Sequence, residues 1–298
     1  MMFYIGIDGG GTKTKFTIIN EKEELINSVE KGTCHYNQIG FDGLERVLTE
    51  GLNELIKDKV NKCDISGVCL GLAGYGKVKS DALKVEEIVS KVFEGVPYKL
   101  LNDVQIAHAG ALAGQDGVVI IAGTGSIGYS LNKGENRRVG GWGYTIGDEG
   151  SAYWIGRKSI EAFSKQADGR LEKGKLYENF KEELNLEDDY KMISYINSDI
   201  KADRGEVAKF ARICSKSAVE GDSTARDIFN NAGEELAGLI NVLAKDFDGK
   251  VMASYIGGVF KSEKFIIEPI KNKLNKDIEL KDPKYSPDMG ACLIAKSL

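Results

Sequence analysis

Short apolar runs and clusters of glycine alternate at the start of the chain. Residues 3–7 and 14–20 are apolar and rich in β-branched and aromatic side chains, with glycines between them, and they predict a β-hairpin whose turn covers 8–13. A further strand is predicted at 24–29. Apolar side chains then recur with a helical period over 41–59, which is typical of an amphipathic helix. The chain thus opens with three strands followed by a helix.

After this helix, strands and helices alternate until the opening pattern returns. The first half continues with predicted strand 66–72, helix 81–93, strand 98–101 and helix 104–113. The second half restarts with predicted strands at 117–122, 127–131 and 137–141, the first two joined by a second glycine turn. Because both halves open with a strand, a glycine turn carrying threonine and a second strand, the repeat is one of architecture.

Helices dominate the rest of the second half. The predicted elements are an inserted set of helices at 151–163, 176–183, 190–197 and 206–220, a long helix at 224–245, strand 250–256, helix 264–274, strand 278–280 and a closing helix at 288–296. No Ser/Pro-rich linker separates the halves, so residues 114–116 are predicted as a hinge. We therefore expect an α/β protein with domains 1–115 and 116–298 around a cleft. Whether the closing helix returns to the first domain is left open.

Composition excludes several classes of function. A chain of 298 residues with 42% apolar and 29% charged side chains is long and apolar enough for two folded domains. Its net charge of -5 makes nucleic acid and anionic membranes poor partners, and the longest apolar run, 118–122, is too short to span a bilayer. Five cysteines without a CxxC pair predict the reduced cytoplasm. Two histidines leave little material for a zinc site or a Ser-His-Asp relay.

The first glycine turn, within IGIDGGGTKT, has the composition of a phosphate cradle. Glycine amides can approach an anion closely, and a hydroxyl and a positive charge follow them. The predicted phosphate-binding residues are Gly10, Gly11, Thr12 and Lys13. The turn leads into β-prone sequence, so it is neither a Walker A loop nor a Rossmann fingerprint. Asp8 directly precedes the glycines and is predicted to hold Mg²⁺ through water. A hairpin turn without a ligand is the alternative.

Two further glycine turns complete a nucleotide site. Gly123, Thr124 and Gly125 lie in IIAGTGSIGYS, where a strand again enters and leaves, so a second anion cradle is predicted to face the first. Two opposed cradles fit the polyphosphate of a nucleoside triphosphate. Gly257 and Gly258 follow the strand at 250–256, where bare backbone could accept an adenine ring. The alternative for this third turn is a strand-to-helix turn whose glycines serve packing alone.

The order of DGGGTKT, NDV, GTGS and IGGV resembles the actin, hexokinase and heat-shock chaperone superfamily of ATPases. Within it, GGWGYTIGDEGSAYWIG at 140–156 is similar to the N-acetylglucosamine kinases, which are grouped with the BadF/BcrA-type ATPases. The resemblance covers nearly the whole chain and implies two ribonuclease-H-like lobes with ATP and Mg²⁺ between them. It also implies phosphoryl transfer to a hydroxyl, expected to be the 6-hydroxyl, of N-acetylglucosamine or N-acetylmuramic acid. Relatives are commonly dimeric, so a homodimer is an open expectation.

Asp103 is the candidate general base. It follows the strand predicted at 98–101 and precedes a helix, at the edge of the sheet where ligands gather in α/β folds. The resemblance places the residue that accepts the sugar hydroxyl's proton at the matching position. A helix N-cap is the competing role, and the two roles are compatible.

The resemblance also implies which residues bind the sugar and the adenosine. Around the sugar it places Gly74, Ser126, Ile127, Gly141, Trp142 and Asp148, and at the adenosine it places Ala211. Trp142 lies between glycines and lacks the spacing of a helix core, whereas Trp154 lies on a predicted helix and is expected in the core. For Asp148, a turn or helix-capping role is the alternative.

The sequence departs from this family at one sugar-binding position. Where N-acetylglucosamine kinases have an asparagine for a ring hydroxyl, this chain reads GTCHYNQIG, which places His35 there or, in another register, Asn37. A histidine at this position could pair with the carboxylate on the 3-position of N-acetylmuramic acid. A histidine bonded only to loop backbone is the alternative.

Three other functions compete with this one. Glucosamine is a plausible substrate of the same kind of kinase. An ATPase activator of a 2-hydroxyacyl-CoA dehydratase needs cysteines for an iron-sulfur cluster in its middle, and no cysteine lies between Cys69 and Cys214. A sugar-sensing regulator or filament-forming ATPase is disfavoured, because no helix-turn-helix module or basic patch extends the two lobes.

Overall fold

The computed structural model describes residues 1–76 and 78–298. The strands are β1 (Phe3–Gly9), β2 (Lys13–Asn20), β3 (Leu25–Gly32), β4 (Ile65–Leu72), β5 (Tyr98–Leu101), β6 (Gly117–Ala122), β7 (Ser126–Asn132), β8 (Glu135–Gly140), β9 (Val251–Ile256) and β10 (Ile278–Leu280). The helices are α1 (Tyr36–Ile56), α2 (Lys79–Val92), α3 (Asp103–Ala111), α4 (Ala152–Ala167), α5 (Lys175–Glu183), α6 (Lys191–Ser194), α7 (Arg204–Val219), α8 (Ser223–Ala244), α9 (Lys264–Lys273) and α10 (Pro287–Lys296).

The strands of the described residues form two five-stranded sheets with the same topology. The first has the order β3-β2-β1-β4-β5 and the second the order β8-β7-β6-β9-β10. In each sheet the first three strands of the chain form an antiparallel meander, and the last two continue in parallel with the first. The architectural repeat in the sequence is therefore a repeat of sheet topology.

The chain forms two compact units, of which the first combines its two ends. Residues Met1–Asp116 and Asp282–Leu298 form the first unit, and Gly117–Lys281 form the second. The sequence prediction placed 116–298 in the second domain and left the return of the closing helix open. In the structure α10 packs on β1. The approach is so close that a side chain at Gly6 would collide with the backbone of Asp288 and Cys292. Glycine at this position allows the close approach.

The first unit packs helices on both faces of its sheet. Successive side chains of β1 point to opposite faces, so Ile5 and Ile7 contact the core under α1 and α2, whereas Tyr4 contacts α3 and α10. Small residues on α10, such as Ala291 and Ala295, keep the second of these layers thin. β1 is thereby buried on both faces, and its carboxyl end is held firmly.

The second unit has one large core. Val118 and Ile120 of β6 pack with Phe229 and Leu236 of α8, and Phe163 joins them from α4 of the inserted helices. The helices α4, α5 and α7 thus extend the core that α8 shares with the sheet. The second turn and the start of α4 are supported by this core.

Two predicted helices differ from the structure, and one turn was not predicted. The helix predicted at 41–59 begins earlier, at Tyr36, and changes direction at Gly40, whose φ of 73° and ψ of 174° are not helical. The segment 190–197 is the short α6 followed by a π-helical turn, Tyr195–Asp199. A 3₁₀ turn, Gly258–Ser262, separates β9 from α9. Periodicity alone does not report such turns, because they depend on local backbone angles.

The described residues contain free thiols only. All five cysteines are unpaired, and four of them are buried. Burial raises the pKa of the Cys34 thiol to about 11 and that of Cys214 to about 12. Of the helices in 1–76 and 78–298, none combines the length and the apolar character that crossing a membrane requires.

Candidate phosphate and sugar sites

The first glycine turn joins β1 to β2 with an exposed tip. The Gly10 amide donates to the Lys13 carbonyl at 3.0 Å, and the Thr33 hydroxyl donates to the Gly10 carbonyl at 3.1 Å. Gly11 and Thr12, at the tip, are exposed to solvent. The turn therefore has a fixed base and accessible backbone at the positions predicted to bind phosphate.

Two lysines follow the turn, and the sequence reasoning selected only one of them. Lys13 pairs with Glu30 at 2.6 Å on an exposed surface, and that hydrogen bond raises the pKa of Lys13. Lys15 lies 3.1 Å from Asp288 and lowers the pKa of Asp8 more than Lys13 does. Alternate residues of a strand share a face, so the spacing of the two lysines was the available signal for Lys15.

Asp8 is the most perturbed carboxyl group near the first turn. Its pKa is raised to about 7, chiefly by burial and also by the negative charges of Asp103 and Asp288, while Lys15 and Lys13 oppose the shift. A hard divalent cation would relieve this repulsion. In the described part of the chain, no three His, Cys, Asp or Glu side chains gather as a ready metal cage. The donor set instead fits Mg²⁺, which uses one or two carboxylates together with phosphate oxygens and water.

Asp288 is a second carboxylate that the sequence reasoning missed. It is buried in the first turn of α10, where the Thr17 hydroxyl donates to its Oδ2 at 2.6 Å and Lys15 Nζ lies 3.1 Å away. Burial raises its pKa, but hydrogen bonds from Thr17, Ser286 and Lys15 outweigh burial and lower the pKa below its ordinary value. Asp288 therefore remains ionised beside the end of β1.

Asp103 is the first residue of α3, and its expected alternative role as the helix N-cap is wrong. The N-cap is Asn102, whose amide oxygen accepts from the Val104 amide at 3.3 Å; Asp103 Oδ1 also lies 3.1 Å from that amide. The Gln105 side chain accepts from the Asn102 amide at 3.0 Å, which completes a capping box. The Asn102 side chain also donates to the Tyr75 carbonyl at 3.0 Å, which attaches the N-terminus of α3 to the turn after β4.

His35 caps α1 and contacts the turn after β4. Its Nδ1 accepts from the Asn37 amide at 3.3 Å, and its own amide donates to the Thr33 hydroxyl at 3.0 Å. With Nδ1 accepting, the neutral ring carries its hydrogen on Nε2. A Cβ on Gly74 would lie 3.1 Å from Nε2, and the Tyr36 hydroxyl donates to the Gly74 carbonyl at 3.0 Å. The structure thus brings His35 and Gly74 together and leaves Asn37 exposed on the helix.

The second glycine turn, between β6 and β7, is tied to the start of α4. The Gly123 amide donates to the Gly125 carbonyl at 2.9 Å, and the Ala152 amide donates to the Gly123 carbonyl at 2.8 Å. Thr124, at the tip, is exposed. As in the first turn, the base is fixed and the tip is accessible.

The third glycine pair begins directly after β9. Gly257 has a φ of 125°, and a side chain there would collide with the Ala122 carbonyl at the end of β6. Glycine is therefore required at Gly257 for packing, which is the role that the alternative interpretation of this turn gave it. A Cβ on Gly258, by contrast, would meet open space. Ala211, the predicted adenosine residue, is half-buried on α7 and packs against the core of the second unit.

Four of the predicted sugar residues, Ser126, Ile127, Gly141 and Trp142, lie around the start of β7, and Asp148 is the fifth. The buried Ser126 hydroxyl donates to the Glu149 carbonyl at 2.7 Å. A Cβ on Gly141, where φ is 69°, would lie 2.9 Å from Ile127 Cδ1. Trp142 follows and is 70% exposed, so it is not a core residue.

Asp148 is buried and paired with a residue that the sequence reasoning missed. It is only 4% exposed, and its Oδ2 accepts from Arg204 Nη2 at 2.8 Å. Asp148 does not cap α4, because Ser151 is the N-cap and accepts from the Trp154 amide at 3.2 Å. The φ of 59° at Asp148 is typical of a turn, so Asp148 has the alternative turn role in addition to its ion pair. Nothing in the local sequence marks Arg204, which lies on a separate helix.

Two sheets of the same topology, each headed by a glycine-threonine turn, form a fold that solved sugar-kinase structures share. The chain belongs to the BadF/BadG/BcrA/BcrD ATPase family, whose model matches residues 5–295. This confirms the expected family and the expected α/β fold class.

Named relatives extend this comparison. The chain is 32% identical to the N-acetylmuramic acid/N-acetylglucosamine kinase of Clostridium acetobutylicum, over 100% of this chain and 99% of that protein. It is 28% identical to the N-acetyl-D-glucosamine kinase of Dictyostelium discoideum, over 98% and 97% of the two chains. A crystal structure from Chromobacterium violaceum, described as a candidate N-acetylglucosamine kinase, superposes with a TM-score of 0.79 at 23% identity, covering 99% of both chains. At 23% identity, this structural similarity shows a shared fold and no more.

Proposed function

We propose that this protein is an ATP-dependent amino-sugar kinase that phosphorylates the 6-hydroxyl of N-acetylglucosamine and N-acetylmuramic acid. The observation that carries the proposal is full-length similarity, at 32% identity, to a kinase named for both sugars. The electrostatics of the first unit support it, because Asp8 and Asp103 interact at the carboxyl edge of a sheet, beside an accessible glycine turn.

The first unit supplies the base and the metal ligand in this proposal. Asp103, at the head of α3, accepts the proton of the sugar hydroxyl as that oxygen attacks the γ-phosphorus of ATP; the bond from this phosphorus to the bridging oxygen breaks and ADP leaves. Asp8 would hold Mg²⁺, which when bound would neutralise charge on the phosphate oxygens. The exposed turn contributes amides and a cation to the phosphates, from Gly10, Gly11, Thr12 and Lys13.

The second unit carries its own set of residues predicted to bind nucleotide and sugar. Gly123, Thr124 and Gly125 bind phosphate oxygens through backbone and hydroxyl groups. Gly257 and Gly258, with Ala211, accept the adenosine. The sugar contacts in this unit are Ser126, Ile127, Gly141, Trp142 and Asp148, of which Trp142 offers an exposed aromatic face.

The choice of sugar is proposed to involve His35. Its Nε2 hydrogen is a donor next to Gly74, and either a ring hydroxyl or the carboxylate of N-acetylmuramic acid can accept from it. Asn37 is the alternative partner and is exposed in the first turn of the same helix. We further propose that the protein is cytoplasmic, forms a homodimer and acts in the recycling of cell-wall amino sugars.

A sugar panel with ADP release and product analysis tests the proposed function. N-Acetylglucosamine and N-acetylmuramic acid should stimulate ADP release by far more than tenfold over the sugar-free rate in the presence of Mg²⁺, and the product should carry phosphate on the 6-oxygen. Glucosamine is the matched comparison, since it lacks only the acetyl group. A preference for glucosamine would change the assigned substrate, and ADP release that is insensitive to every sugar would contradict the kinase proposal.

A further inference from the structure

Arg204 joins two segments of the second unit that the proposed function treats separately. It is the first residue of α7, and its Nη2 donates to Asp148, the predicted sugar-binding carboxylate. The same guanidinium lies against Gly125 of the second glycine turn. A Cβ on Gly125 would collide with Arg204 Nη2 and lie 2.6 Å from Asp148 Oδ2. Glycine at this position leaves the space that the ion pair occupies.

The placement of Arg204 is unfavourable in two ways that packing alone does not explain. A positive charge in the first turn of a helix opposes the helix dipole. In addition, Arg204 Nε is buried without a hydrogen-bond partner among the described residues, and such an orphan donor costs free energy. Tyr144 provides an aromatic face 5.5 Å from the guanidinium carbon, which compensates part of this cost. Unfavourable local features of this kind occur where a residue serves function.

Two backbone contacts accompany the ion pair between the same segments. The Ser126 hydroxyl donates to the Glu149 carbonyl at 2.7 Å, and the Ala152 amide donates to the Gly123 carbonyl at 2.8 Å. Glu149 and Ala152, which both follow Asp148, are therefore attached to the glycine turn. Arg204 is the charged residue of this set, and it contacts both Asp148 and the turn at Gly125.

We propose that Arg204 is a positioning residue that couples sugar binding to nucleotide binding. This inference rests on the proposed function. A sugar hydroxyl that donates to Asp148 fixes the carboxylate, the carboxylate fixes the guanidinium, and the guanidinium holds the turn at Gly125 in its phosphate-binding form. Coupling of this kind is reciprocal, so each ligand tightens the binding of the other by the same factor.

Calorimetric titration of the full-length protein with the ATP analogue AMPPNP and Mg²⁺, with and without saturating N-acetylglucosamine, measures this coupling. In the wild type we expect the sugar to tighten AMPPNP binding about 5- to 150-fold. In Arg204→Met we expect the effect of the sugar to fall below about twofold, with sugar-free AMPPNP affinity within about threefold of wild type. Arg212→Met, an exposed arginine on the same helix, is the matched control and should keep the coupling.

The outcomes separate this inference from the proposed function. Wild-type coupling retained in Arg204→Met, or a sugar effect below twofold in the wild type itself, would overturn the role of Arg204. If Arg204→Met does not fold, Arg204→Lys carries the test, because lysine keeps the charge and loses the forked N–H groups. Wild-type coupling in Arg204→Lys would likewise overturn the role of Arg204. Phosphorylation of sugar by the wild type is measured independently, so its absence contradicts the proposed function and not the coupling alone.

Discussion

The two glycine turns occupy equivalent places in their sheets but differ in the charge around them. Near the first turn, burial and the negative charges of Asp103 and Asp288 raise the pKa of Asp8 to about 7. Near the second turn, the buried carboxylate of Asp148 is matched by Arg204 at 2.8 Å. The first turn therefore lies beside excess negative charge that suits a cation, and the second lies beside a neutralised pair.

The two turns also differ in how the neighbouring strand supports them. After β4, Ala73 occupies the first position, and its amide donates to the Gly9 carbonyl at 2.8 Å. After β9, Gly257 occupies the first position and tolerates no Cβ, because the Ala122 carbonyl fills the space. The same motif is thus supported by a hydrogen bond in one unit and by close backbone packing in the other. We therefore expect substitutions beside the first turn to affect catalysis and substitutions beside the second turn to affect stability.

The largest expected effect is the loss of chemistry beside the first turn. Asp103→Asn should lower kcat by 10²-fold or more, because an amide cannot accept the proton of the sugar hydroxyl, while nucleotide affinity is retained. Steady-state kinetics and AMPPNP titration measure the two quantities. Asp42→Asn, at an exposed position on α1, is the matched control. Near-normal turnover in Asp103→Asn would remove Asp103 from the role of base.

The next effect concerns packing beside the second turn. Gly257→Ala should destabilise the protein by about 2–4 kcal/mol, since the added Cβ meets backbone and the φ of 125° disfavours alanine. Gly258→Ala is the matched control, because open space surrounds that position and its φ is not positive. Denaturant unfolding monitored by circular dichroism measures both. Equal stability of the two variants would show that the second turn does not depend on this contact.

A smaller effect should follow from the raised pKa of Asp8. Its carboxyl group binds a proton more tightly in the folded state than in the unfolded state, so its contribution to stability is present near pH 4 and is lost as pH rises through about 7. Asp8→Asn should therefore unfold at a higher temperature than the wild type at pH 8, on the order of 2–6 °C without nucleotide or metal, with the difference vanishing near pH 4. Thermal unfolding across this pH range measures the difference. A difference that does not change with pH would contradict the assignment.

The sequence pattern predicts the fold well because both sheets use local signals. Strands with glycine-bounded ends are visible in β1 and β6, and the capping box that begins α3 is a local motif at Asn102 and Gln105. The start of α1 was missed because its cap is a histidine, which is not among the preferred N-cap residues. Local preference thus explains both the successful predictions and this failure.

The charged partners were missed because their contacts are distant in sequence. Asp288 meets Thr17 across 271 residues, and Arg204 meets Asp148 across 56 residues. A motif identifies residue types that suit a ligand, but it does not report which buried charge compensates which. The candidate ligands in the glycine turns were therefore predictable, whereas the groups that position them required the three-dimensional structure.

The smallest expected effect concerns the choice between sugars and bears on the first unit alone. His35→Asn keeps an N-cap on α1, since asparagine is a favoured capping residue, but it removes the Nε2 donor beside Gly74. If that donor meets the carboxylate of N-acetylmuramic acid, kcat/KM for this sugar should fall about 3- to 10-fold relative to N-acetylglucosamine, the size of one hydrogen bond. Asn37→Ala is the companion variant, and each ratio is measured with both sugars in one coupled assay. A change of ratio in Asn37→Ala, with none in His35→Asn, would transfer the role to Asn37 and leave the histidine as a helix cap.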